Sequence, residues 1–203
     1  LLNRKVTPLH EENVGHATTT GLDNRKMLMW VFLASDCLFF GSLISTYMVM
    51  RSTSIVGPFP ADIFDILYTS VSAFVLLMSS LTMVLSLSAL QRGDHRNTRI
   101  WLLATTLLGA VFLGGQYYEF TVFVAEGLTL SQNIFGTTFF VLTGFHGTHV
   151  AIGVMMLLSM YGASVLGKLP QSSSLNLELV GLYWHFVDIV WIVIFTIVYL
   201  IPS

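Results

Sequence analysis

Charge is scarce in this sequence of 203 residues: Asp, Glu, Lys and Arg together make up 10%, against about 25% in a soluble domain. With 54% hydrophobic residues and a mean hydropathy of +0.76, that scarcity excludes an ordinary water-soluble domain and leaves an integral membrane protein. Cysteine is nearly missing as well. The single Cys37 excludes an internal disulfide and a thiolate metal cluster, and inside an apolar run it reads as a small buried hydrophobe. Positive charge is not in surplus either, and the formal net charge of -2 favours neither nucleic acid nor another polyanion as partner. The opening residues lack the apolar core of a signal peptide. The chain opens on Leu1, which points to a trimmed or missing start and leaves insertion to the first long helix.

Several metal motifs are also missing. His10-Glu11 would open a zinc-protease motif, but Val14 stands where its second histidine belongs. Carboxylate-bridged di-iron bundles need Glu-x-x-His on two helices, and none of Glu11, Glu12, Glu119, Glu126 or Glu178 is followed by histidine at that spacing. Three histidines within apolar stretches, His146, His149 and His185, are too few for two bis-histidine haems, which leaves a lone metal as the remaining option.

What the chain has instead is five long apolar segments, at about 27–50, 66–90, 100–123, 133–166 and 177–200, behind a polar tail over 1–26. They predict an all-α membrane protein, a bundle of five transmembrane helices. The connection near Gly57, Pro58 and Pro60 and the charged stretch from Gln91 to Arg99 read as surface loops. The fourth segment is longer than a perpendicular span of ~30 Å of hydrocarbon requires, so it should tilt or project. Tyr117, Tyr118 and Phe120 suit an interfacial aromatic belt. With an odd number of spans, eight of the nine Lys and Arg residues fall on the side of the amino terminus. By the positive-inside rule the amino terminus is cytoplasmic and the carboxyl terminus outside.

Polar residues interrupt these segments at comparable depth. Asp36, His146, His149 and Asp188 all lie near segment centres, and His185 is one turn from Asp188. His146 and His149, three apart, share a helix face and should point toward one neighbour. Thr143, Gly147 and Ala151, four apart, form a stripe of small residues that lets another helix approach closely. Gln116 and Glu119 share a face of the third segment. Ser72, Ser79 and Ser86, seven apart, mark a packing seam whose hydroxyls can bond back to carbonyls one turn earlier. Buried polar groups of this kind are satisfied by mutual pairing, trapped water, lipid head groups or a neighbouring subunit. An interhelical network that fixes packing, a lone metal site and a proton relay all remain open readings, as does a small proton-coupled transporter built on Asp36 and Asp188. Against the transporter stand five unequal spans without internal similarity.

Two stretches carry a resemblance. Phe139 to Gly153, read Phe-Phe-x-x-Thr-Gly-Phe-His-Gly-x-His-Val-x-Ile-Gly, and Trp184-His185-Phe186-Val187-Asp188-x-Val190-Trp191 closely resemble signatures of subunit III of the haem-copper terminal oxidases. Gln116-Tyr117-Tyr118-Glu119-Phe120 and Ser35-Asp36-Cys37-Leu38-Phe39-Phe40 match weaker motifs of that family in the same order, so the resemblance covers Arg25 to Ile201. The segment count is similar to the short bacterial form, which lacks the first two helices of the seven-helix form. The resemblance implies a noncatalytic subunit with no catalytic residue, metal or other cofactor of its own. Haem and copper then sit in the catalytic subunit I, which this chain would contact together with other oxidase subunits and membrane phospholipids. It further implies a bacterial plasma membrane, support for the catalytic subunit during turnover and for proton uptake, and a lipid cleft on an oxygen route. Asp36, Glu119, His146, His149, His185 and Asp188 become candidates for an intramembrane polar network or lipid binding, and Thr143, Gly147 and Ala151 for helix packing. Asp36 departs from the family by one methylene, since glutamate is common there. The related subunit of a quinol oxidase or of a nitric oxide reductase is the nearest alternative.

Overall fold

The computed structural model of the chain describes residues 23–50, 66–125, 127 and 134–201. These residues form five long helices: α1 (Asn24–Met50), α2 (Ile66–Gln91), α3 (His95–Ala125), α4 (Ile134–Val165) and α5 (Ser174–Phe195). Among the described residues there is no strand. A 3-10 turn at Gln171–Ser173 precedes α5 and a π-helical turn at Thr196–Leu200 extends it. Five stretches are long and apolar enough to cross a membrane. Most of the expected tail, with His10 and Glu11, lies outside the described residues, as do the connection around Gly57, Pro58 and Pro60, and Glu126.

Serine and threonine do not break these helices, because their hydroxyls bond back along the helix. Ser42 Oγ donates to Phe39 O at 2.7 Å, Thr46 Oγ1 to Ser42 O at 2.8 Å and Thr106 Oγ1 to Leu102 O at 2.8 Å. Glycine ends α2 and α4 in the same way. Gly93 and Gly167 take φ of 75° and 69°, and the following residues close the end, Asp94 N–H to Ala89 O at 3.0 Å and Lys168 N–H to Ala163 O at 2.8 Å.

The charged stretch Gln91 to Arg99 is not all loop, as its composition suggests: α3 already begins at His95. The cause is a cap. Asp94 Oδ1 accepts the Asn97 backbone N–H at 3.0 Å and its Oδ2 the Asn97 side-chain amide at 2.6 Å. That backbone hydrogen bond, ahead of the side-chain one, holds the Asp94 carboxyl below the usual carboxylate range. The first turn of α3 carries its charge on exposed side chains, His95 and Arg96.

Packing places α5 inside. It contacts α1, α2 and α4, while α2 lies along α3, α3 along α4, and α1 leans on α4 and α5. Trp184 is the centre of this arrangement, 1% exposed, with its indole N–H donated to Ser79 Oγ at 2.9 Å. Its ring fits between two glycines. A Cβ at Gly109 of α3 would stand 2.6 Å from Trp184 Cη2, and one at Gly153 of α4 would stand 2.7 Å from Cε3. Cys37 corrects the sequence reading: it is exposed, because α1 turns that flank away from the rest of the chain.

Candidate functional site

Three carboxyl clusters and one caged histidine occupy the interior, and they do not join into one network. Asp36 of α1 faces His149 of α4, with Nε2 3.7 Å from Oδ2 and the side chains 16% and 14% exposed for His149 and Asp36. That separation is longer than a hydrogen bond. His149 Nδ1 lies 2.8 Å from the carbonyl of Phe145 one turn back, and since a carbonyl only accepts, this nitrogen carries the proton. A neutral His149 thus presents a bare Nε2 to Asp36, so one proton on either group suffices to make the pair attractive. Phe40 covers the imidazole edge-on at 5.0 Å, and Tyr183 of α5 donates its hydroxyl to the His149 carbonyl at 3.0 Å.

Asp188 belongs to a second cluster, on the α2 side of α5. Ser80 Oγ donates to Asp188 Oδ2 at 2.6 Å, and His185 Nδ1 lies 3.1 Å from the same hydroxyl oxygen. A hydroxyl has one proton to give. With that proton on Asp188, His185 Nδ1–H is the donor to Ser80. The other carboxyl oxygen, Oδ1, is buried without a hydrogen-bond partner.

His146 is fully buried and makes no hydrogen bond through either ring nitrogen. Aromatic rings surround it instead: Trp191 stacks on it at 4.9 Å and 23°, Phe112 meets it edge-on at 6.1 Å, and Phe40 at 6.4 Å. His146 and His149 both meet Phe40 of α1, the one neighbour their spacing leads one to expect, but they share no polar partner. The donor sets do not suit haem or copper. His149 faces a carboxyl, His185 a hydroxyl and His146 only rings, and among the described residues no three His, Cys, Asp or Glu side chains gather as a metal site.

The small stripe of α4 faces α3. Gln116 donates its amide to the Thr143 carbonyl at 3.0 Å, and a Cβ on Gly147 would sit 2.8 Å from Gln116 Oε1. Ala151, the third residue of the stripe, is half-buried. Glu119, 7% exposed, is farther along α3. Thr69 Oγ1 donates to its Oε1 at 2.6 Å, and Tyr199 of the π-helical turn hydrogen-bonds the same carboxyl.

Sequence reasoning passes over Ser80 in favour of its neighbour on the seven-residue seam. Of that seam, Ser79 bonds back to Leu76 O at 2.5 Å, whereas Ser86 reaches across to Thr98 O of α3 at 3.2 Å. Ser80 stands eight residues, or just over two turns, from Ser72, so it leaves the seam but still faces α5. The signal that could have found it is the need of Asp188 for a short hydroxyl donor from another helix. Tyr183 and Trp184, both inside the resembling motif, likewise act through their polar tips and not only as bulk.

Five apolar spans interrupted by buried polar groups define a multi-pass helical membrane protein. The family model for cytochrome c oxidase subunit III matches residues 9–203, and the chain belongs to that family, the subunit III of haem-copper oxidases. Among its relatives, subunit 3 of the cytochrome bo(3) ubiquinol oxidase of Pseudomonas aeruginosa is 36% identical, across 100% of this chain and 98% of that protein. Quinol oxidase subunit 3 of Bacillus subtilis is 39% identical over 84% of each chain. Cytochrome c oxidase subunit 3 of Bacillus sp. strain PS3 is 35% identical, over 91% of this chain and 89% of its own length.

Proposed function

We propose that the chain acts as the noncatalytic third subunit of an oxygen reductase, docked in a bacterial plasma membrane with its amino terminus in the cytoplasm. Haem and copper belong to the catalytic subunit beside it, and the electron donor is bound elsewhere in the complex. Relatives named for quinol and for cytochrome c oxidases match equally well, in keeping with a subunit that does not touch the donor. One observation carries this reading within the family: the three interior histidines point to three different kinds of neighbour, so the bundle offers shape and hydrogen bonding and no ligand set. Asp188 and Ser80 hold α5 to α2, Tyr183 holds α5 to α4 through the His149 carbonyl, and Gln116 holds α3 to α4. A bundle tied in this way can brace a catalytic partner during turnover. On this reading Asp36, Glu119, His146, His149, His185 and Asp188 support structure, lipid contact or proton supply and not bond chemistry.

Purification in mild detergent tests the reading. Co-purification with a larger subunit and a visible spectrum of haem in the complex is the expected outcome, with the separated, folded subunit retaining neither haem nor copper. Stoichiometric metal in that separated subunit overturns it.

A further inference from the structure

Three residues inside the bundle, each at most 5% exposed, hold buried polar atoms that meet no hydrogen-bond partner: His146 at both ring nitrogens, Trp191 at its indole N–H, and Asp188 at Oδ1. Such atoms call for a partner. They also adjoin one another. Trp191 of α5 stacks on His146 of α4 with ring centroids 4.9 Å apart and planes 23° from parallel, and it stands three residues beyond Asp188 on the same face of α5. The surrounding side chains do not answer the need. Phe40 and Phe112, the other rings around His146, carry no hydrogen-bonding atom, and the Ser80 hydroxyl proton goes to the other carboxyl oxygen of Asp188. An imidazole enclosed by rings alone would serve less well than phenylalanine, so its nitrogens ask for a further reason.

We propose that these three residues form a binding site for one internal water molecule, which accepts the Trp191 indole N–H and bridges it to Asp188 Oδ1 and to one nitrogen of His146. The bonding inventory selects the ligand. Trp191 only donates, the bare nitrogen of a neutral imidazole only accepts, and Asp188 Oδ1 accepts as carboxylate and donates as acid, so the ligand must be neutral and able to do both. Water is the smallest such molecule. Two hydrogen bonds of about 2.9 Å each span up to ~5.8 Å, which suits atoms on rings whose centroids are 4.9 Å apart. Buried waters make about three hydrogen bonds to otherwise unsatisfied groups, and three residues are offered here. The two nitrogens of an imidazole point apart, so a single water engages one of them. The bridge joins the caged histidine to the Asp188 and Ser80 pair and so ties α4 to α2 across α5. The Asp36 and Glu119 clusters stay separate from it.

The proposal goes beyond a bracing role, and its test reads this chain whether or not the complex reduces oxygen. The native complex in lipid nanodiscs is imaged by electron cryomicroscopy at a resolution that shows ordered water. Its tryptophans are followed by ultraviolet resonance Raman spectroscopy, with the Trp191 contribution taken by difference from Trp191→Phe. The expected results are a density peak within hydrogen-bonding distance of Trp191 Nε1, Asp188 Oδ1 and one His146 nitrogen, and an indole band at the position of a hydrogen-bonded N–H. His146→Phe keeps a ring and removes both nitrogens. With water bound, it takes away one of the three anchors, so the thermal midpoint should fall and the Trp191 band should move toward that of a free N–H. In a dry cage the same change deletes only unsatisfied atoms, and the midpoint should hold or rise. A wild-type density with nothing between the three groups overturns the proposal, as does a free N–H band for Trp191 or a His146→Phe complex at least as stable as the wild type. The density needs no variant, so a Trp191→Phe chain that fails to assemble leaves the test standing.

Discussion

α1 and α5 are close to interchangeable by composition: both are apolar, both are rich in aromatic residues, and each carries one aspartate near its middle. Their positions differ sharply. In α1 the best apolar window is 11% buried, against 50% in α5. The buried residues of α1 are Leu33, Phe40 and Tyr47, seven apart, a single narrow stripe, while Trp30, Leu38 and Val49 are 61%, 78% and 64% exposed. α5 buries residues over about half of its circumference, from Leu177 through Trp184 and Asp188 to Ile194, while Ile189, Ile192 and Val193 face out. In water such a contrast would be driven by hydrophobicity; in lipid it cannot be, because acyl chains are as apolar as leucine. What separates the two helices is fit. Two glycines on α3 and α4 make a slot for Trp184, and no corresponding slot receives Trp30.

The sharpest test of that contrast is at Trp184. Trp184→Ala leaves a cavity between Gly109 and Gly153 and removes the donor to Ser79, and large-to-small changes of this kind cost about 3–5 kcal/mol in packed interiors. Gly153→Val should be as severe, because the ring it strikes is held from the other side by Gly109 and cannot retreat. Leu38→Ala on the outward face of α1 should stay within about 0.5 kcal/mol. Reversible unfolding in mixed micelles measures all three. Equal losses at Leu38 and Trp184 would remove the basis for calling α5 the interior helix.

The number of spans and the residues that interrupt them are legible in the sequence, since length, apolarity and isolated charge are one-dimensional signals. The partners are not. Asp36, His146, His149 and Asp188 all lie near segment centres in the sequence, but that position does not say which way a helix is turned, and each residue along a helix turns the side chain by about 100°. Spacing brings His146 and His149 to the same Phe40 of α1, but their three-residue offset leaves enough angle for one ring to stack on Trp191 and the other to face Asp36. Cys37 shows the matching error in burial: inside an apolar run, exposure to lipid and burial in protein look alike.

A smaller effect is expected where the obstacle can move. Gly147→Leu on α4 drives a side chain into the Gln116 amide, the flexible end of a residue on α3, so about 1–3 kcal/mol of overpacking cost is expected. Adding Gln116→Ala should return part of it, since the double variant removes both the clash and the hydrogen bond to Thr143. A double-mutant cycle with no coupling would mean that the α3–α4 contact is not made through this pair.

At the α1 edge the predicted changes are smaller still. Asp36→Asn preserves size and polarity opposite His149 and should leave subunit content and the initial rate of oxygen uptake nearly intact. Asp36→Leu leaves His149 Nε2 facing hydrocarbon, and losing one partner of a partly buried pair should weaken assembly or shorten the working life of the complex. Subunit content, initial rate and the decay of that rate during turnover separate the two variants. Immediate loss of most initial activity in a fully assembled Asp36→Asn complex would make the α1 edge a participant in proton transfer, and the contrast with α5 would then be one of packing only.

The smallest effect lies outside both regions, at the start of α3. Asp94 caps the helix through the Asn97 backbone N–H, and that bond lowers its carboxyl below the ordinary range. The folded state therefore favours the carboxylate. Its contribution is fully present above the unfolded value of about 3.9 and is lost as pH falls through the lower folded value. Protonation weakens the charge-assisted part of the cap but leaves the bonds that the Asp94 carbonyl accepts from Thr98, so only the first turn should loosen. Amide hydrogen exchange at Asn97 should accelerate at acid pH beyond the intrinsic trend, and exchange in the Trp184 region of α5 should not follow it. Asp94→Asn keeps an acceptor without a titration and should remove the pH dependence while retaining most of the protection; Asp94→Ala should lose protection at every pH. If acid loosened α5 together with the first turn of α3, the interior of the bundle would be coupled to its rim, and the rigidity assigned to the Trp184 slot would have to be given up.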